Sequence, residues 1–254
     1  MTEKKISEIS SELKETSLND LPDFIDQYIK DGRPGVAKLV DQAVKKLDKL
    51  RVERERIESL KFFEHKYEKE FPHVCGIDEV GRGPLAGCVC AAAVILPNDC
   101  DILYINDSKK LSEARREALY DEIMDKAVAV GVGFASNERI DEINILNATY
   151  EAMREAISNL TVAPDILLND AVTIPGVSVK QVPIIKGDAK SISIGAASII
   201  AKVTRDRMMK ELDAVYPEYG FASNKGYGTA DHIAALKKYG PTPIHRKSFI
   251  TSFV

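Results

Sequence analysis

Apolar positions along the chain change their spacing near residue 72, and the change separates two kinds of structure. Before it, Ile6, Ile9 and Leu13 recur at helical intervals, as do Leu21, Phe24, Ile25 and Ile29. Asp31-Gly32-Arg33-Pro34-Gly35 interrupts them. Leu39, Val40, Ala43, Val44, Leu47 and Leu50 then form an apolar stripe leading into a charged stretch over 51–58. Short helices followed by one long helix, ending near Phe71-Pro72, are expected. After it, apolar residues come in short continuous runs, the mark of buried strands. Runs over 74–77 and 88–96, joined by a short connection, predict an antiparallel hairpin. Further strands are expected over 127–136, 166–168 and 178–185, and helices over 112–126, 141–160 and 191–214. The last helix is rich in small residues that suit close packing on a sheet. The order predicts an α/β fold, a mixed β-sheet flanked by helices over 72–254. A helical extension over 1–71 precedes it, and a helical segment from about 215 closes it.

With 254 residues, 44% of them hydrophobic, the chain can bury one large core and carry an appendage. It has no apolar run of about eighteen residues, the length a membrane span needs. Its opening residues lack a signal peptide's apolar core, so a cytoplasmic location without membrane association is expected. Cys75, Cys88, Cys90 and Cys100 match no zinc spacing and read as buried free thiols. The net charge of −4 is uneven: −1 over 1–70, −9 over 71–179 and +6 over 180–254. An acidic middle beside a basic third suits carboxylates that hold metal near lysines that hold a polyanion. Chance imbalance among solvated faces would give the same charges, so charge alone decides nothing.

The candidate chemistry begins where the first strand-like run ends. Asp78 and Glu79 follow it, and Gly81-Arg82-Gly83-Pro84-Leu85-Ala86-Gly87 comes next, a loop whose backbone can approach a ligand closely. Asp170 and Asp188 each follow another such run. If those strands share a sheet, the four carboxylates can converge at its end and repel one another. Two divalent cations about 4 Å apart would relieve that repulsion and serve phosphodiester hydrolysis. Oxygen-only ligation favours Mg²⁺ or Mn²⁺ over Zn²⁺. Four ordinary surface acids are the plain alternative. The glycines also fit a loose dinucleotide-binding pattern, but that needs a helix after the loop, and the residues that follow look like strand. Asp107-Ser108-Lys109-Lys110 could cap a helix and offer lysines to phosphate; Lys186, Lys190, Lys202, Arg205 and Arg207 surround Asp188 in sequence. Tyr227, between Gly226 and Gly228, can stack on a sugar or base, or simply close a turn over the core. His232 and His245 alone signal no catalysis.

In this order the motifs resemble bacterial ribonuclease HII, the type 2 ribonuclease H. They run from Gly76-Ile77-Asp78-Glu79-Val80-Gly81-Arg82-Gly83 through Asp107-Ser108-Lys109-Lys110-Leu111-Ser112 and Lys186-Gly187-Asp188. Ala196-Ala197-Ser198 through Arg205-Asp206, Lys225-Gly226-Tyr227-Gly228-Thr229 and Pro243-Ile244-His245-Arg246 complete the set. The resemblance covers roughly 73–250, and residues 1–70 look like the helical extension of some Gram-positive members. It implies a ribonuclease H-like fold and metal-dependent cleavage of the RNA strand of RNA–DNA hybrids. It also implies cleavage at single ribonucleotides embedded in duplex DNA, leaving 3′-hydroxyl and 5′-phosphate ends. Asp78, Glu79, Asp170 and Asp188 match the family's metal-binding carboxylates. Gly81, Arg82 and Gly83 match its reader of the ribose 2′-hydroxyl, Tyr227 its stacking tyrosine, and Lys109 a phosphate contact. The expected partners are RNA–DNA hybrid and ribonucleotide-containing duplex DNA, met by a monomer. Cys88 stands where many members have proline. Gly195 stands where alanine is usual, an exchange expected to loosen its helix by about 1 kcal/mol. Ribonuclease HIII, a resolvase-type nuclease and a non-catalytic hybrid-binding module are the alternatives; none of the four carboxylates is missing.

Overall fold

Each apolar stripe of the N-terminal region meets the others in a small core. In the computed structural model, which describes residues 4–254, α1 (Ile6–Glu15), α2 (Leu21–Tyr28) and most of α3 (Pro34–Leu60) belong to one compact unit ending at Ser59. Ile9, Leu13, Leu21, Phe24, Ile25, Tyr28, Val36, Leu39, Val40 and Ala43 are buried together. Pro34 opens α3, where its fixed φ suits a first turn and its missing N–H costs nothing. The long helix stops at Leu60 rather than near Phe71. Lys61 turns out of helical geometry, and the short α4 (Phe62–Tyr67) follows within the second unit, Leu60–Val254. The compact division therefore falls before residue 71.

Five strands build the second unit: β1 (Val74–Val80), β2 (Val89–Ile95), β3 (Ala129–Ala135), β4 (Ile166–Asp170) and β5 (Lys180–Ile184). They pair in the order β3-β2-β1-β4-β5, antiparallel from β1 to β3 and parallel from β1 to β5. The predicted hairpin is β1–β2. β1 outlasts the apolar run that foretold it, since Asp78 and Glu79 stay in the ladder opposite Ala92 and Ala91. Backbone pairing, not side-chain polarity, sets where that strand ends.

Helices α5 (Glu113–Lys126), α6 (Asn137–Ser158) and α7 (Ile192–Val215) accompany the sheet. α6 begins ahead of the expected residue 141 because Ser136 Oγ accepts from Arg139 N at 3.2 Å. It breaks at Asn144 (φ 68°), whose Oδ1 accepts from Leu146 N and Asn147 N at 3.0 and 3.1 Å and so starts its second half. Cys75 and Ile77 of β1 share a core with Ala148, Ala152 and Met153 of α6, whereas Val74 shares one with Ile166, Leu168 and Ile194. α7 lies so close over β1 that a Cβ on Gly76 would stand 2.1 Å from the Ser193 carbonyl carbon. At Gly195 a Cβ would stand 2.8 Å from Ile105 Cγ2, so the glycine there makes room for a buried side chain. The C-terminal segment holds α8 (Phe221–Asn224), α9 (Ala230–Tyr239) and α10 (Lys247–Ile250), gathered on Leu85, Met209, Tyr219, Phe221 and Leu236. Among the described residues no helix is long and apolar enough to cross a membrane. All four cysteines are free, and Cys75, Cys90 and Cys100 are buried.

Candidate active site

Alternation along β1 turns Asp78 to the face of Gly76, the one α7 covers. Asp78 is buried and accepts a hydrogen bond from Ser198 of α7. In the parallel register Gly76 faces Leu168 and Ile77 faces Asn169, so the next step sets Asp170, the last residue of β4, opposite Asp78. Asp170 Oδ1 accepts from Gly187 N at 2.7 Å, which ties the end of β4 to the 3₁₀ turn Gly187–Ala189 that carries Asp188. Ala171 (φ 56°) and Lys186 (φ 59°) are both left-handed, a conformation costing a non-glycine residue about 1 kcal/mol or more. These strained residues turn the chain directly after one acid and just before the other.

The four acids share one electrostatic field. Burial pushes Asp78 well above the usual carboxylate range, and the charges of Glu79 and Asp170 add to it. Glu79 is raised by burial, with Asp170 adding and Arg82 opposing. Asp188 is raised by burial, then by Asp107 and Asp170, with Lys109 opposing. Among the described residues no three such side chains are drawn together closely enough to hold a metal ion. The donor set nonetheless fits a hard divalent cation: every donor is a carboxylate oxygen, and the mutual repulsion is what such a cation offsets.

The glycine loop sits beside the acids and is held from within. Gly81 has φ 91°, and a Cβ on it would lie 2.3 Å from Arg205 Nε, so only glycine fits. Arg246 donates to the carbonyls of Gly81, Arg82, Gly87 and Cys88 at 2.5, 2.9, 2.9 and 3.1 Å. Arg205 donates to those of Cys88, Lys225 and Ala86 at 2.9, 2.8 and 3.1 Å. Both guanidiniums are wholly buried. Leu85 N donates to Gly226 O at 2.8 Å, and Tyr227 Cε1 lies 3.6 Å from the position of a Cβ on Gly83. Tyr227 thus stands, 41% exposed, at the edge of the loop. The Arg82 side chain reaches back to Glu79 at 3.4 Å.

Lys109 follows Asp107, whose Oδ1 accepts from Lys109 N at 2.9 Å, and the turn is fastened to α7 by Ser108 Oγ and Ser198 Oγ, 3.0 Å apart. Lys202 and Arg207 are committed elsewhere, to Asp206 at 2.7 Å and Glu117 at 2.5 Å. Ser198 and Arg246 were not expected in the site, Asp107 was expected only to cap a helix, and Arg205 only as one of the basic residues near Asp188 in sequence. The only signal in the sequence was their place inside motifs, since a buried arginine that feeds carbonyls looks like any basic residue.

The family model for Ribonuclease HII matches residues 75–252, and that for Ribonuclease HII N-terminal domain matches 5–68. The chain belongs to the ribonuclease HII family. It is 64% identical to the ribonuclease HII of Lachnoclostridium phytofermentans over 97% of this chain and 96% of that one. It is 51% identical to the ribonuclease HII of Clostridioides difficile over the whole of both chains. The solved ribonuclease H2 of Pyrococcus horikoshii matches with a TM-score of 0.58 at 30% identity, covering 69% of this chain and 92% of that one. As a ribonuclease HII the chain is a hydrolytic endonuclease of RNA–DNA hybrids and depends on a divalent metal.

Proposed function

We propose that this member of the family cleaves 5′ of single ribonucleotides embedded in duplex DNA as well as within hybrid tracts, leaving 3′-hydroxyl and 5′-phosphate ends. The observation that carries the proposal is the nearness of two features: four carboxylates in one field, and a clamped glycine loop with Tyr227 at its edge. Asp78, Glu79, Asp170 and Asp188 would hold two cations, Mg²⁺ or Mn²⁺. When bound, these supply Lewis acidity and lower the pKa of water at the scissile phosphate. The carboxylates orient that centre. Gly81, Arg82 and Gly83 read the 2′-hydroxyl through the backbone of a loop whose Gly81 and Arg82 carbonyls Arg246 holds still. Tyr227 stacks on the deoxyribose beyond the junction, and Lys109 meets phosphate beside Asp188. The protein works as a monomer in the cytoplasm, and the residues before Leu60 serve as a helical extension of the catalytic region.

Cleavage of a duplex with one embedded ribonucleotide, compared with a continuous hybrid in Mg²⁺ and in Mn²⁺, tests the proposal. Asp78→Asn and Asp188→Asn should each abolish cleavage, by about 10³-fold or more, while hybrid binding survives. Full activity in either variant would sink the four-carboxylate site. Tyr227→Ala should lose preference for the embedded ribonucleotide more than it loses metal binding; an unchanged preference would remove the stacking role.

A further inference from the structure

One buried polar pair takes no part in the chemistry above. His232 and His245 are 0% and 2% exposed, with their Nε2 atoms 3.0 Å apart. Two imidazoles that meet in this way need one hydrogen between them, so one donates and the other accepts. The outer nitrogens decide which. His232 Nδ1 lies 2.8 Å from the Tyr227 carbonyl, which only accepts, so this nitrogen carries hydrogen and Nε2 is bare. His245 Nδ1 accepts from Thr242 N at 3.0 Å, so this nitrogen is bare and Nε2 carries hydrogen. The bonds run one way: Thr242 N–H to His245, His245 Nε2–H to His232, His232 Nδ1–H to Tyr227 O. Both rings are neutral, and a further proton would set two N–H groups face to face. The Tyr219 and Phe221 rings pack around the pair, with centroids 5.1 Å from His245 and 5.3 Å from His232 respectively. Burial lowers both imidazoles, His245 to about 4, in keeping with a neutral pair.

This chain of bonds joins the two walls of the substrate loop. At one end is the backbone of Tyr227, which also donates to Asn224 O at 2.9 Å and accepts from Thr229 N at 2.8 Å. At the other, His245 bridges Ala86, and its neighbour Arg246 holds the carbonyls of Gly81 and Arg82. We propose that His232 and His245 are positioning residues of fixed tautomer that set Tyr227 against the glycine loop and so determine selectivity for the ribonucleotide junction. The selectivity half rests on the reading of Tyr227 given above.

Side-chain ¹⁵N–¹H correlation spectra of the full chain at neutral pH test the tautomers. The chain has four histidines, and substitution of His65 and His73 identifies the buried two. The expected result is a neutral Nδ1–H form for His232 and a neutral Nε2–H form for His245; the reverse pattern or an imidazolium overturns the proposal. Cleavage of the embedded ribonucleotide relative to a continuous hybrid tests the consequence. His232→Asn places an amide N–H where Nδ1 stood, and His232→Leu removes it. The ratio should fall about tenfold in His232→Leu, the worth of one hydrogen bond of about 1.4 kcal/mol, and recover in His232→Asn. Equal ratios in the three proteins overturn the selectivity role. A wild-type protein that ignores embedded ribonucleotides overturns the junction reading itself. The spectra need no substrate and still decide the anchor, even if His232→Leu does not fold.

Discussion

Arg246 shows how one side chain can shape a site without touching substrate. Its guanidinium is buried and forms no ion pair among the described residues, and burial, with Arg205 next, brings its pKa down to about 9. A charge in that position is tolerable only because four carbonyls accept from it. Those carbonyls are thereby turned inward, which fixes the backbone of the loop between β1 and β2. Lysine cannot reproduce the planar fork. Arg246→Lys should leave at least one buried carbonyl unpaired and cost about 3 kcal/mol, read as a lower denaturation midpoint in urea. Catalysis should fall through a raised KM for hybrid. Stability and KM within error of wild type would show that the loop holds its shape unaided.

At the scale of elements, α4 has a larger part than its length suggests. Glu64 reaches the start of α7, where Oε1 accepts from Ser191 Oγ at 2.5 Å, Ser193 N at 3.1 Å and Ser193 Oγ at 2.5 Å. A carboxylate at a helix N-terminus meets unpaired N–H groups and the positive end of the helix dipole. This end of α7 directly follows the turn holding Asp188 and lies against Gly76. Glu64→Ala should therefore cost about 1–3 kcal/mol and lower the thermal midpoint, whereas Glu64→Gln should keep most of the capping. Equal midpoints for Glu64→Ala and wild type would leave α4 without that role. Nothing in the sequence showed this contact: Glu64 is one acid among many on a charged helical surface, and its partners lie 127 and 129 positions away. The strands were legible because β1, β2 and β4 are buried on both faces and leave unbroken apolar runs. The far end of β1 and the start of α6 were not, because a ladder hydrogen bond and a serine cap leave no mark on hydrophobicity. The acids themselves could be picked out, since each stands where an apolar run stops. The residues that hold them and the loop, Ser198, Arg205, Arg246 and the histidine pair, became visible only when distant segments met.

For the whole molecule, acids and imidazoles pull stability in opposite directions with pH. Asp78, Glu79 and Asp188 have raised folded pKa values, so their contribution is complete below the unfolded carboxylate range and is lost as pH rises through the folded values. His232 and His245 have lowered ones. Their contribution is complete above the ordinary value of 6.5 and is lost as pH falls toward about 4. A divalent cation acts on the first group alone, since it binds the charged acids and offsets their repulsion, while protons compete with it at low pH. At a concentration about 100 times its Kd, Mg²⁺ should add about 2.7 kcal/mol at pH 8, or roughly 5–10 °C in Tm. As pH falls the increment should shrink, so that it is smaller at pH 5, because protons compete with the cation for the raised acids. Asp188→Asn should reduce the increment at pH 8, and His232→Asn should leave it intact, which separates the two polar clusters by calorimetry. A Mg²⁺ increment that is equal at both pH values, or untouched by Asp188→Asn, would mean that the acids at the ends of β1, β4 and β5 do not share a cation.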